Sequence, residues 1–259
     1  MSTNRMAHLL GWGLVIFLLV WEPTPADSYA LGHSKFGRIE KFPYQVMLIG
    51  KQLWRKRILC GWHTSVEETQ QSGGLVLRSN KFIVHERFSP ETAANDIALV
   101  KLPQDIGFTS RIQPASLPSR FRQDQFAGMS VVASGWGAMV EMTNSDSMQY
   151  TELKVISNAE CAQEYDVVSA GVLCAKGLQD ETVCTGDSGG PLVLKDTQMV
   201  VGITSFGPAD GCETNIPGGF TRVTYYLDWI ESKIGGHGQP AHRQYLRPQQ
   251  HHYSDNNLI

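Results

Sequence analysis

Short runs of residues with high β-propensity follow one another along most of this 259-residue chain. Gly, Pro, Asn and Asp separate them, as expected for strands joined by turns. This spacing predicts an all-β sandwich or barrel. The predicted strands are residues 45–49, 81–85, 97–102, 130–134, 149–156, 199–205 and 219–223.

Helical periodicity stands out once, near the C-terminus. Thr224 is a suitable N-cap, and the apolar face of the predicted helix is formed by Leu227, Ile230 and Ile234. The following segment is rich in His, Gln, Pro and Asn and has almost no apolar content. We expect residues 236–259 to form a disordered tail.

The formal net charge is −3 and no basic cluster is present, so we expect no nucleic-acid partner. No run of acidic residues has the spacing of a calcium loop. His251 and His252 adjoin each other without further ligands at a fixed spacing, which favours a solvated pair. We therefore expect neither a metal nor a cofactor.

The N-terminal segment has the three-part organisation of a secretory signal peptide. Arg5 precedes an apolar run at residues 9–21, and small residues follow it up to Ala30. A signal anchor is the alternative, but the run is shorter than the about 20 apolar residues that span a bilayer. We expect residues 1–30 to be a signal peptide and the mature protein to be secreted, extracellular and free of the membrane.

The strongest chemical signal is the sequence CTGDSGGP at residues 184–191. Its glycines permit a tight turn that leaves Ser188 exposed, with the N–H groups of Gly186 and Ser188 converging on one point, as in an oxyanion hole. A nucleophilic serine also needs a base and a carboxylate that orients the base. An ordinary surface turn is the alternative.

Five further motifs accompany this turn, and together the six resemble the chymotrypsin family of serine endopeptidases. The resemblance implies two orthogonal antiparallel β-barrels with a C-terminal helix, spanning residues 31–235, and an active site in the cleft between the barrels. The motifs are FPYQVML at 42–48, NDIALVKL at 95–102, SGWG at 134–137, ITSFG at 203–207 and PGGF at 217–220.

By this resemblance Ser188 is the nucleophile, Asp96 orients the base, and Ser205 lies beside Asp96. The N–H groups of Gly186 and Ser188 form the oxyanion hole. Asp96 is followed by apolar residues, where a carboxylate without a partner costs several kcal/mol. A capping Asp at the start of a strand is the alternative.

The histidine that acts as general base in this family has no counterpart. The family places it about 45 residues before the Asp and downstream of a cysteine. Cys60 and Asp96 are only 36 residues apart, so the motif has no room. We infer that roughly two dozen residues, including about two strands of the first barrel, are missing between Gly61 and Ser72.

No other histidine has motif support as a substitute. His63 follows Cys60 by three residues and would have to cross the cleft. We interpret His85 as a strand residue on the barrel surface, and His33 lies near the mature N-terminus. The chain is therefore predicted to be catalytically dead or nearly so.

The five cysteines support the same deletion. The resemblance implies that Cys161 pairs with Cys174 and Cys184 with Cys212, each disulfide contributing about 3 kcal/mol. Cys60 stays unpaired, because its family partner adjoins the absent histidine.

The resemblance also implies that Asp187 pairs with the ammonium group of a freed N-terminus. Family spacing places this N-terminus at Leu31, directly after Ala30, so that removal of the signal peptide would itself expose it. Cleavage after Ala26, with an unpaired tail, is the alternative.

Thr182 stands six residues before Ser188, where trypsin-like members carry an Asp that holds Arg or Lys. Ser205, Gly207 and Gly218 complete the implied specificity pocket. An active version would prefer large apolar or aromatic side chains, because Thr182 offers no charge.

Two functions stay open at this point. The first is a secreted serine endopeptidase, of which this chain is a shortened form, with protein or peptide substrates and protease inhibitors as partners. The second is a non-catalytic homologue that binds or regulates. The intact turn around Ser188 favours the first, because a binding protein has no chemical need of the nucleophile. In both cases we expect a monomer.

Overall fold

The computed structural model describes residues 75–119, 126–137, 148–166, 168–177, 182–184, 186–208 and 215–234, together with the backbone of the strands nearer the N-terminus. The strands are β1 (Leu14–Phe17), β2 (Lys35–Phe36), β3 (Val46–Ile49), β4 (Lys56–Cys60), β5 (Leu75–Ser79), β6 (Phe82–Val84), β7 (Ala98–Lys101), β8 (Ser130–Gly135), β9 (Gln149–Ile156), β10 (Val172–Gly177), β11 (Pro191–Leu194), β12 (Val200–Phe206) and β13 (Gly218–Arg222). The helices are α1 (Asn158–Cys161) and α2 (Val223–Ile234).

The C-terminal half contains a closed antiparallel barrel. Its strand order is β9-β8-β11-β12-β13-β10, and the pairing of β10 with β9 closes it. The barrel interior is apolar and fully buried, with Leu153, Leu173, Leu192 and Phe220 among its largest side chains. The short strand β2 adds to the outer edge of β9.

The N-terminal half contains two three-stranded sheets, β3-β4-β5 and β1-β7-β6. Among the described strands no ladder joins these two sheets, so the described strands do not close a second barrel. Leu77 of β5 and Val100 of β7 pack together with Leu102 and Ile112 in one buried cluster. The predicted fold class is confirmed: the protein is mostly β, with a closed six-stranded barrel, further antiparallel sheet in the N-terminal half and a C-terminal helix.

Helix α2 begins one residue before the predicted cap, at Val223, so the prediction that Thr224 caps the helix is wrong. The reason is that β13 ends at Arg222 and runs into the helix without a linker. The predicted apolar face is confirmed: Leu227 and Ile230 are buried and Ile234 packs against the same cluster. No helix in the described part of the chain is long and apolar enough to cross a bilayer.

Ile230 is fully buried, whereas Ile234 in the next turn of α2 is only partly buried. We expect Ile230→Ala to lower the free energy of unfolding by about 2 to 5 kcal/mol, because it leaves a cavity between the helix and β12. The same change at position 234 should cost less than half as much. Urea unfolding of both variants measures this, and equal losses would contradict the packing described.

Candidate active site

Ser188 lies in a turn shaped by two glycines with positive φ, +95° at Gly186 and +84° at Gly189. The N–H of Gly190 donates to the carbonyl oxygen of Asp187 at 2.8 Å and closes the turn, and Ser188 itself is half-buried. Among the described residues, the N–H groups of Gly186 and Ser188 donate to no backbone carbonyl. Within the described part of the chain, neither N–H group takes part in strand pairing.

Strand β12 anchors this turn. The N–H of Gly189 donates to the carbonyl of Thr204, and the N–H of Thr204 donates to the carbonyl of Gly190, both at 2.9 Å. The next residue of β12 is Ser205, whose hydroxyl contacts Asp96. Strand β12 therefore supports the Ser188 turn and also contacts the carboxylate of Asp96.

The carboxyl group of Asp187 points into the protein, and the side chain is 5% exposed. Its Oδ1 accepts a hydrogen bond from the N–H of Gly137 at 2.9 Å, and its Oδ2 accepts one from the N–H of Cys184 at 3.1 Å. Burial raises the pKa of Asp187 to about 6, and the two backbone hydrogen bonds oppose the shift.

The glycines of the motif at residues 134–137 make room for this carboxylate. A Cβ at Gly135 would lie 2.3 Å from Oδ1 of Asp187, and a Cβ at Gly137 would lie 2.5 Å from its Cγ. Any larger residue would collide with a buried side chain that is hydrogen-bonded in place. Glycine is therefore needed at positions 135 and 137, because the Asp187 side chain occupies the space that a larger residue would fill.

Asp96 is 8% exposed and follows Asn95, whose φ is +55°. Its Oδ2 accepts a hydrogen bond from Ser205 Oγ at 2.7 Å, and its main-chain carbonyl accepts one from Thr221 Oγ1 at 2.6 Å. Its Oδ1 is buried and has no hydrogen-bond partner among the described residues. The alternative of a strand-capping Asp does not describe this side chain, which bonds across to β12.

Burial raises the pKa of the Asp96 carboxyl to about 7, and the hydrogen bond from Ser205 only partly opposes this. A buried oxygen without a donor carries the full cost of its lost hydration. Asp96 is therefore stabilised by anything that brings either a proton or an N–H donor to Oδ1.

The residues predicted to form the specificity pocket lie close together. Thr182 is fully buried, and its Oγ1 has no partner within the described part of the chain. A Cβ at Gly218 would lie 3.0 Å from this oxygen, and a Cβ at Gly207 would lie 3.3 Å from the carbonyl oxygen of Val183. Small residues are thus required next to Thr182, on both neighbouring segments.

Sequence reasoning missed the aromatic pair formed by Phe206 and Tyr165. Their ring centroids lie 5.1 Å apart in an edge-to-face arrangement, and Tyr165 Oη donates to the carbonyl of Pro217 at 2.6 Å. A Cβ at Gly219 would lie 2.2 Å from the Phe206 ring. The two glycines at 218 and 219 were the available signal, since each makes room for a side chain of the site.

The trypsin family model matches residues 39–230. The chain belongs to the trypsin family of serine proteases. Collagenase from Hypoderma lineatum is 36% identical over 260 aligned residues, covering 85% of this chain and 98% of the collagenase. Brachyurin from Leptuca pugilator is 36% identical over 180 residues, covering 69% of this chain and 76% of brachyurin.

A solved structure of HL collagenase aligns with this trypsin-family chain at a TM-score of 0.69 and 31% identity, covering 78% of this chain and 98% of the collagenase. The predicted resemblance is thereby confirmed. The alignment with the Hypoderma collagenase has 260 positions but includes only 85% of the 259 residues of this chain. The alignment with the Hypoderma collagenase therefore contains positions at which this chain has no residue.

His85 is the one histidine among the described residues. The prediction that it lies on the barrel surface is wrong, because it is 7% exposed. Its ring packs between Tyr226 and Trp229 of α2, with centroid distances of 5.6 Å and 5.0 Å, and its Nδ1 accepts the N–H of Arg87. Burial lowers the pKa of His85, which suits a neutral structural histidine. His33 and His63 lie outside the described residues.

The disulfide between Cys161 and Cys174 is present, which confirms one of the two predicted pairs. Cys184 is disulfide-bonded as well. The side chains of Cys60 and Cys212 lie outside the described residues, so the pairing of Cys184 with Cys212 and the free thiol of Cys60 stay predictions.

Asp96→Asn tests the raised pKa of this carboxyl in the protease site. The pKa is about 7 in the folded protein against an ordinary 3.8, so the folded state binds the proton more tightly. The stabilising contribution of the protonated group is complete at acidic pH, below the ordinary pKa, and is lost as the pH rises through about 7. The unfolding free energy of Asp96→Asn relative to wild type should therefore grow by up to about 4 kcal/mol from about pH 4 to about pH 8.

Urea unfolding across this pH range measures the difference, and the exposed Asp105→Asn gives the background. A difference between Asp96→Asn and wild type that does not change with pH would show that Asp96 titrates normally.

Proposed function

We propose that this chain carries the binding and acylation framework of a secreted serine endopeptidase but lacks its general base, so that peptide-bond hydrolysis through Ser188 is lost or nearly lost. The observation that carries the proposal is Oδ1 of Asp96, which is buried and has no hydrogen-bond partner among the described residues. In a Ser-His-Asp triad the carboxylate accepts the imidazole N–H. Among the described residues Oδ1 of Asp96 meets no such donor.

The framework around the serine fits acyl transfer. Ser188 Oγ would attack the carbonyl carbon of a peptide substrate, and the N–H groups of Gly186 and Ser188 would receive the developing oxyanion. The supporting observation is that neither N–H is used by a backbone carbonyl in the described part of the chain. The buried bonds of Asp187 to Gly137 and Cys184 hold the turn in place for that role.

The missing step is proton transfer. The hydroxyl of Ser188 must lose its proton as its oxygen bonds to the substrate carbon, and the leaving amine must gain one. The sole described histidine is packed against α2 instead. Removing a triad base costs on the order of a millionfold in turnover, or about 8 kcal/mol of transition-state stabilisation.

The specificity of the framework follows from Thr182. It is uncharged and fully buried, and Gly207 and Gly218 bring no side chains of their own to this part of the site. We propose a preference for large apolar or aromatic side chains on the acyl side of the scissile bond. The N-terminal apolar segment supports export of the protein.

The test is the rate at which a fluorophosphonate labels Ser188 in the purified chain, with and without added imidazole. We expect no labelling by the probe alone, because the hydroxyl has no base. Free imidazole can donate its N–H to Asp96 and accept the proton of Ser188, so it should restore measurable labelling. A mass spectrum of the digested product locates the adduct.

Ser188→Ala controls for labelling elsewhere, and Asp96→Asn controls for solution imidazole that acts without the carboxylate. Labelling without imidazole that Ser188→Ala abolishes would overturn the proposal and reveal an unexpected base. A folded sample that never labels, with or without imidazole, would contradict an assembled acylation framework and favour a purely binding role.

A further inference from the structure

Strand β7 has the burial of a strand in the middle of a sheet. Successive side chains of a strand point to opposite faces, yet Ala98, Leu99 and Val100 are each at most 3% exposed. An apolar run that is covered on both faces is typical of a fully buried strand. In such surroundings the backbone N–H and carbonyl groups on both edges of β7 need hydrogen-bond partners.

One partner of β7 comes from the segment just before it in the sequence. Strand β6 pairs antiparallel with β7, so that Ile83 stands opposite Leu99. The second edge of β7 is covered by β1, which lies about eighty residues earlier in the sequence. The register pairs are Leu14 with Lys101, Val15 with Val100, Ile16 with Leu99 and Phe17 with Ala98.

Strand β1 lies inside the apolar run that we interpret as part of a signal peptide. Its sequence LVIF is composed of residues that favour strands. Three of its four register positions place an apolar residue opposite an apolar residue of β7. Without β1, this edge would present a row of unpaired N–H and carbonyl groups beside buried apolar side chains.

We propose that Leu14–Phe17 stays in the folded protein as the strand that completes the β6–β7 sheet, in place of strand residues that are missing between Gly61 and Ser72. The N-terminal segment then acts in export and afterwards remains attached, instead of being removed at Ala30. A chain with a free N-terminus at Leu31 excludes this arrangement. The proposal does not depend on the activity of Ser188.

The retained strand also supports the catalytic carboxylate. Strand β7 begins at Ala98, two residues after Asp96, and Ile97 between them is buried against α2 and β12. Anchoring β7 on both edges restrains the segment that brings Asp96 to Ser205. Loss of β1 should therefore disturb Asp96 before it disturbs the closed C-terminal barrel.

The first measurement is the intact mass of the exported protein, combined with cysteine cross-linking across the predicted register. The variant carries Ile16→Cys and Leu99→Cys in a Cys60→Ser background, and its control carries Leu19→Cys with Leu99→Cys. We expect the mass of the exported protein to include residues 14–17. We also expect a disulfide-linked peptide in the variant and none in the control. A mature protein that starts after Phe17, or equal cross-linking in both chains, would overturn the proposal.

Because Leu99 is buried, the cysteine variants could fold poorly, and a second measurement leaves β7 unchanged. Hydrogen exchange of the β7 amides is compared between Ile16→Pro and Leu19→Pro in the full chain, since proline cannot donate a ladder hydrogen bond. We expect about tenfold faster exchange of β7 in Ile16→Pro than in the control, with the C-terminal barrel unchanged in both. Equal exchange in the two variants would show that residues 14–17 do not pair with β7.

Discussion

The contact between Asp96 and the two neighbouring strands of the C-terminal barrel is the interaction on which the site depends. Ser205 Oγ and Thr221 Oγ1 donate to the side chain and the main chain of Asp96, across 109 and 125 residues of sequence. Tyr226 Oη adds a bond to Asn95 Oδ1 at 3.3 Å. Because β12 also supports the Ser188 turn, these bonds set the position of the carboxylate relative to the serine.

Two buried carboxyl groups, Asp96 and Asp187, make the site expensive to ionise. Desolvation raises the pKa of both, but Asp187 receives a backbone N–H on each oxygen whereas Asp96 receives a donor on one. In an intact Ser-His-Asp triad an imidazole N–H would bond to Oδ1 and lower the pKa of Asp96, because that bond stabilises the charged form.

Much of the fold could be predicted from local pattern, and each failure has a physical cause. The strand at residues 149–156 was predicted with correct bounds, because its buried and exposed positions alternate. Strands β4, β5 and β10 were missed because charged residues inside them leave only short apolar runs, and β11 because it follows the glycine-rich turn directly. His85 was misjudged because the side chains that bury it come from α2, about 140 residues later. Local pattern carries no information about such distant neighbours.

The sequence by itself determined the family, the glycine-rich turn around Ser188 and the carboxylate at Asp96. Those features depend on residue types at fixed spacings, which a motif preserves. Only the tertiary structure decided that Asp187 lies against Gly135 and Gly137, that one oxygen of Asp96 has no donor within the described ranges, and which strand pairs with the second edge of β7. Hydrogen-bond satisfaction and strand pairing are contacts between distant segments, so they exist only once the chain has folded.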